Sequence, residues 1–143
     1  MITAIDTNIL IDILAGTPQQ LATASEAVRK LRQQGRILVP IVCYAELASR
    51  FATESKLKDF IDLLDAATLP LEPEAAYLAG TFFRSYLQRG GSRDRIIADF
   101  LIAAQAQVSA DRILTKDKRF YGTHFPKLKA IAPTDLITPR SSP

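Results

Sequence analysis

Chemistry in this chain falls to its carboxylates. The 143 residues include one histidine, His124, and one cysteine, Cys43, so the chain can form no internal disulfide and cannot build a Cys/His zinc site alone. His124 lies in Gly122-Thr123-His124-Phe125-Pro126, the setting of a turn, and is expected to be a surface loop histidine rather than a base. Cys43, between Val42 and Tyr44, reads as a small buried hydrophobe. Among the 15 Asp and Glu residues, Asp6, Glu46, Asp99 and Asp117 fall where a site could form.

Each of the four has an ordinary explanation beside the functional one. Asp6 and Asp117 each follow a candidate strand and precede a helix, so either can be an N-cap worth ~1 kcal/mol. Glu46 can pair with Arg50 one helical turn on. Asp99 is harder to dismiss. On a wheel of Arg93–Ser109, Ile96, Ile97, Phe100, Leu101, Ala104 and Val108 form one apolar face, and the opposite side carries Ala98, Ile102, Ala103 and Ala106. Such a helix is expected to be buried, and a buried carboxylate must be ion-paired, with Arg95 for instance, or metal-bound.

These acids are positioned by alternating short strands and helices. Strands are expected at Ile2–Ile5, Ile37–Val39, Thr68–Leu71, Arg112–Thr115 and Leu128–Ala132. Helices are expected at about Pro18–Gln34, Ile41–Thr53, Leu57–Ala66, Pro73–Gln88 and Arg93–Ser109. Alternation of this kind means a mostly parallel sheet covered on both faces, an α/β fold whose ligands gather at the carboxyl ends of its strands. At ~100–200 residues per domain the length is one domain, taken as 1–132, with a helical hairpin inserted at about 55–88 and a loose tail at 133–143. Tyr77, Phe82, Phe83 and Tyr86 suit a core or an interface. Gln88–Arg93 is either a plain connector or a basic loop for phosphates.

Lys+Arg 18 against Asp+Glu 15 gives a net charge of +3, a mild bias toward polyanions. No run of about 18 apolar residues is present, and Met1-Ile2-Thr3 lacks a basic leader region, so a soluble, cytoplasmic protein without membrane contact is expected.

Four segments together carry a family resemblance. Ile5-Asp6-Thr7-Asn8-Ile9-Leu10-Ile11-Asp12 resembles the opening motif of PIN-domain nucleases, and Tyr44-Ala45-Glu46-Leu47 their second acidic motif. Asp99-Phe100-Leu101-Ile102-Ala103-Ala104-Gln105-Ala106 is similar to the third, and Leu114-Thr115-Lys116-Asp117-Lys118-Arg119-Phe120 to the fourth. Order, spacing and length look like the VapC-type toxins of bacterial toxin–antitoxin pairs, over Ile2 to about Ile131.

The resemblance implies a three-layer α/β/α sandwich of about five strands and a metal-dependent endoribonuclease. Asp6, Asp99 and Asp117 would bind Mg²⁺ or Mn²⁺, and Glu46 would contribute directly or through water. Asn8 and Thr115 would support the acids by hydrogen bonds. Two carboxylates ~4 Å apart repel by ~4 kcal/mol at an effective dielectric near 20, so such a cluster needs a cation, and oxygen-only ligands suit Mg²⁺ or Mn²⁺. Lys116, Lys118, Arg119 and Arg93 are expected phosphate contacts, with solvated surface charge as their ordinary reading. The family pattern further implies a homodimer and a cognate antitoxin. Two alternatives are an RNA-processing PIN fold without a toxin role and an inactive RNA-binding module. An aspartyl-phosphate phosphatase fits less well, because Asn8 stands where those enzymes carry a second acid.

Overall fold

In a computed structural model, residues 1–93 and 97–137 are described. The chain begins with β1 (Ile2–Ile5), α1 (Thr7–Ala15), α2 (Pro18–Gln34) and β2 (Arg36–Pro40). Then come α3 (Ile41–Ala48), α4 (Glu54–Leu63), β3 (Ala66–Leu69), α5 (Pro73–Gln88) and α6 (Ile97–Ser109). It closes with β4 (Arg112–Leu114), α7 (Lys118–His124), β5 (Lys129–Ile131) and α8 (Pro133–Leu136). The five strands form one parallel sheet in the order β3-β2-β1-β4-β5, with helices on both faces. From β1 the chain first winds outward through β2 to β3, then returns to place β4 on the other side of β1. This reversal opens a crevice at the carboxyl ends of β1 and β4, the customary ligand position in such sheets.

Local chemistry fixes the helix starts. Thr17 caps α2 through a reciprocal exchange with Gln20, and Pro18 takes the first helical position, where its missing N–H costs nothing. The Thr53 hydroxyl accepts the Lys56 N–H at 3.2 Å and so opens α4. For that reason the helix expected at Ile41–Thr53 stops at Ala48, and the one expected from Leu57 starts at Glu54. β3 lies between α4 and α5 and pairs with β2, so the stretch expected to be an inserted hairpin is instead two crossover connections. α1 and α7, the helices expected after Asp6 and Asp117 but given no bounds, begin directly after those residues, which cap them.

The core sits on both sides of β1 and β4. Ala4, Ile5, Ile113 and Leu114 are fully covered, and α6 lies across them with Phe100, Ala103, Ala104 and Ala106 inward. Phe100 meets Phe83 edge-on at 5.2 Å and Phe120 at 5.3 Å, which ties α5, α6 and α7 together. α6 is not buried all round, however: Ile97 is 46% and Val108 37% exposed. His124 corrects the expectation of a surface loop. It ends α7, half-buried, with its ring 5.1 Å from Tyr86 and Phe120. Of the aromatic set, Phe82, Phe83 and Tyr86 join this core, whereas Tyr77 is solvent-facing.

The loop after α5 folds back on Tyr86. Gly91 donates its N–H to the Tyr86 carbonyl at 2.9 Å, and a Cβ at Gly91 would stand 2.5 Å from that oxygen. The tail expected to be loose from residue 133 begins with α8, held by Lys30 Nζ on the Leu136 carbonyl and by Lys118 on Asp135, both at 2.9 Å. Residues 138–143 lie outside those described, as does Arg95, the pairing partner suggested for Asp99. No described helix is long and apolar enough to cross a membrane.

Candidate active site

Asp6 is the first residue past β1 and the N-cap of α1. Its backbone N–H continues the ladder to the Leu114 carbonyl at 3.0 Å, which seats its side chain beside the end of β4. The carboxylate is 8% exposed and enclosed by donors. Thr7 N–H donates to Oδ1 at 2.7 Å, while the Thr115 and Tyr121 hydroxyls donate to Oδ2 at 2.8 and 2.9 Å. Asn8 Nδ2 approaches Oδ2 at 3.5 Å. An ionised carboxylate offers about four acceptor sites, so three short hydrogen bonds leave room for about one further ligand.

Thr115 is the hub of this arrangement. Fully buried, it donates to Asp6 and accepts the Asp117 N–H at 3.0 Å, and thereby couples the two strand-end acids. Asn8 reaches across the same gap, where its Oδ1 accepts the Lys116 N–H at 3.1 Å. Asp117 Oδ1 accepts from Phe120 N–H at 3.4 Å, so Asp117, like Asp6, caps a helix while facing the crevice. Glu46, on α3, does not depend on Arg50: its Oε1 accepts from the Thr7 hydroxyl at 2.8 Å. Asp99 comes from the first turn of α6, half-buried, next in sequence to the anchored Phe100.

All four acids line one pocket of about 230 Å³, together with Thr7, Asn8, Ile11, Ile102, Phe120 and Tyr121. Burial, reinforced by the Asp99 carboxylate, raises the Asp6 carboxyl above its ordinary value even against three hydrogen bonds. Glu46 is raised for the same reasons, partial burial first and then the Asp6 and Asp99 charges. Tyr121 is pushed well above the usual phenol value by burial and by Asp6, so it remains a donor. A divalent cation would relieve this mutual repulsion, and a set of carboxylate oxygens matches the preference of Mg²⁺ and Mn²⁺. Among the described residues no three acids, histidines or cysteines already stand as a ligand set, so an ion held here would require the side chains to draw together.

The four basic residues suggested from sequence are placed differently. Lys116 Nζ contacts Asp12 at 2.9 Å, and Lys118 Nζ contacts Asp135 at 2.9 Å. Arg119 and Arg93 are solvent-exposed, and none of the four lines the acidic pocket. Two contributors went unnoticed in the sequence. Thr7, which holds Glu46, had the signal of adjacency to Asp6. Tyr121 had a weaker one: a tyrosine four residues past Asp117 shares that residue's side of the helix start, and a buried hydroxyl needs an acceptor.

A family model described as PIN domain matches residues 3–126. Among solved structures, VapBC2 from Rickettsia felis bound to a promoter DNA fragment superposes with a TM-score of 0.71 at 20% identity, over 92% of this chain and 98% of that one. VapBC-1 from nontypeable Haemophilus influenzae gives 0.70 at 20%, over 94% and 99%. FitAcB from Neisseria gonorrhoeae gives 0.66 at 20%, again over 94% and 99%. At this level of identity the structural likeness speaks for the fold. No curated protein matches the chain in sequence. With the family model spanning all four acids and most of the sequence, the chain belongs to the PIN domain family.

Proposed function

We propose that this protein is a divalent-metal-dependent endoribonuclease of the VapC type, the toxin of a toxin–antitoxin pair. PIN domains are nucleases, which assigns the chain to hydrolysis of nucleic acid. The observation that carries the finer reading is the convergence of Asp6, Glu46, Asp99 and Asp117 on one pocket at the β1/β4 crevice. The toxin role and the antitoxin partner draw support from the VapBC and FitAB complexes among its structural neighbours.

In this reading Asp6, Asp99 and Asp117 hold Mg²⁺ or Mn²⁺. Bound there, the ion supplies charge neutralisation at the phosphodiester and acidifies a water. Asp6 keeps its orientation because Thr115, Tyr121 and Thr7 occupy its other acceptor sites. Glu46, fixed by Thr7 and with its carboxyl raised, is placed at the pocket to take a proton from the attacking water. Water adds to phosphorus and the P–O3′ bond breaks, which leaves a 5′-phosphate and a 3′-hydroxyl. Arg119, exposed in the first turn of α7, and Arg93, exposed in the turn after α5, are available to the RNA backbone. The protein acts as a homodimer in this scheme.

The test is cleavage of RNA in Mg²⁺ or Mn²⁺ by wild type, Asp6→Asn and Asp99→Asn. Loss of several kcal/mol of transition-state stabilisation predicts about a 10³-fold fall in each variant. Full activity in both would remove the site assignment.

A further inference from the structure

The acidic pocket, at about 230 Å³, is smaller than the ~300–1,000 Å³ of pockets that enclose larger ligands. A second cleft of about 590 Å³ opens on the same edge of the sheet. Asp12 of α1, Gln19 and Thr23 of α2, Lys116 of the β4–α7 loop and Thr134 of α8 line it, over an apolar floor that includes Ala24 and Pro133. Residues adjacent in sequence line the two spaces, Lys116 the larger one and Asp117 the smaller. Asn8, in the acidic pocket, fixes the Lys116 backbone at 3.1 Å, so the cleft has a defined position relative to the acids.

At the junction stands an ion pair. Lys116 Nζ contacts Asp12 Oδ2 at 2.9 Å and Oδ1 at 3.0 Å. The lysine side chain is 42% exposed and the Asp12 side chain 13%, so the ammonium faces solvent while the carboxylate keeps acceptor sites beyond those that Lys116 occupies. The pair places an acceptor carboxylate and a donor ammonium side by side in the lining of the cleft. Guanine alone among the RNA bases carries two adjacent N–H donors, N1 and N2, beside the O6 acceptor. The carboxylate matches the donors and the ammonium matches O6.

We infer that this cleft binds the base of a nucleotide next to the cleaved phosphodiester and that Asp12 and Lys116 select guanine there. The inference takes the identity of the substrate from the nuclease reading, but base binding can be measured without catalysis. The metal-free full chain is titrated with GMP and with AMP and followed by amide NMR. GMP is expected to shift the signals of Thr23, Lys116 and Thr134, with AMP about tenfold weaker. Asp12→Asn should abolish that preference. Thr23→Trp, which fills the cleft from α2 and keeps the ion pair, should abolish binding of both nucleotides. Circular dichroism confirms that each variant folds.

In parallel, RNA oligonucleotides that differ only in the base beside one cut are digested. Wild type should favour guanine, and Asp12→Asn should bring the rates together. Equal GMP and AMP affinity, or shifts confined to other surfaces, overturns the inference, as do equal wild-type rates on all four bases. If GMP binds the cleft selectively and no RNA is cut, the nuclease reading fails and the guanine site stands.

Discussion

Thr115→Val isolates the hub of the acidic site. Valine keeps the shape and deletes one hydroxyl that is fully buried, donates to Asp6 at 2.8 Å and accepts from Asp117 N–H at 3.0 Å. A hydrogen bond to a charged group is worth about 1.5–3 kcal/mol and a neutral one about 0.5–1.5 kcal/mol. The added methyl returns about 0.8 kcal/mol of apolar transfer, so the net cost is about 2–3 kcal/mol. With a slope of about 1–3 kcal/mol per M, the urea midpoint should drop by about 1–2 M. Thr115→Ser, which retains the hydroxyl, should lose about 1 kcal/mol or less, the value of a methyl group. The specific test is a double-mutant cycle with Asp6→Ala: once the carboxylate is gone, the cost of Thr115→Val should fall by at least ~1 kcal/mol. A cost below about 0.5 kcal/mol, or one equally large without Asp6, would refute the assignment of Thr115 as the group that holds Asp6.

Three further outcomes are expected. Asp6 is raised by burial, so its unfolded form ionises first as pH climbs above 3.8, and the metal-free fold loses stability through that window. Asp6→Asn does not titrate, so in EDTA its stability relative to wild type should grow as pH rises above 3.8 in urea melts, and a flat difference would contradict the burial argument. Mn²⁺ at about 100 times its dissociation constant should raise the wild-type melting temperature by about 5–10 °C, and by much less in Asp99→Asn, as read by differential scanning fluorimetry. Burial pushes the Cys43 thiol far up, so Ellman's reagent at pH 8 should leave the native protein untouched and react fully in denaturant.

Much of this site was legible because strand ends are legible. Asp6 stands directly after β1 and Asp117 three residues past β4, and parallel pairing of the two strands brings both acids to one crevice. Asp99 drew notice through the apolar residues around it, although α6 turned out to leave Ile97 and Val108 in solvent. Glu46 was the acid with least local signal, since its helix position suits Arg50 equally well. What fixes it is Thr7, far away in sequence, and periodicity carries no information about such a contact. The same limit explains Tyr121 and the ion pair between Lys116 and Asp12, both set by tertiary approach. α1 and α7 follow the two acids that the sequence offered as N-caps, and each helix starts where that reading puts it. In both places one aspartate caps a helix and lines the pocket at once.

The Asp6 cage also bears on how the chain matures. Its members are Asp6 and Thr7 from the start of the chain and Thr115 and Tyr121 from near its end, separations of 109 residues to Thr115 and 115 to Tyr121. Domains form during synthesis at about 5–20 residues per second, so β1 waits several seconds for the strand that completes its edge. Until α7 has left the ribosome, no N-terminal fragment possesses the pocket, whatever local helices it has formed. A nuclease site wired in this order is missing from the nascent chain until Thr115 and Tyr121 have emerged and folded against Asp6.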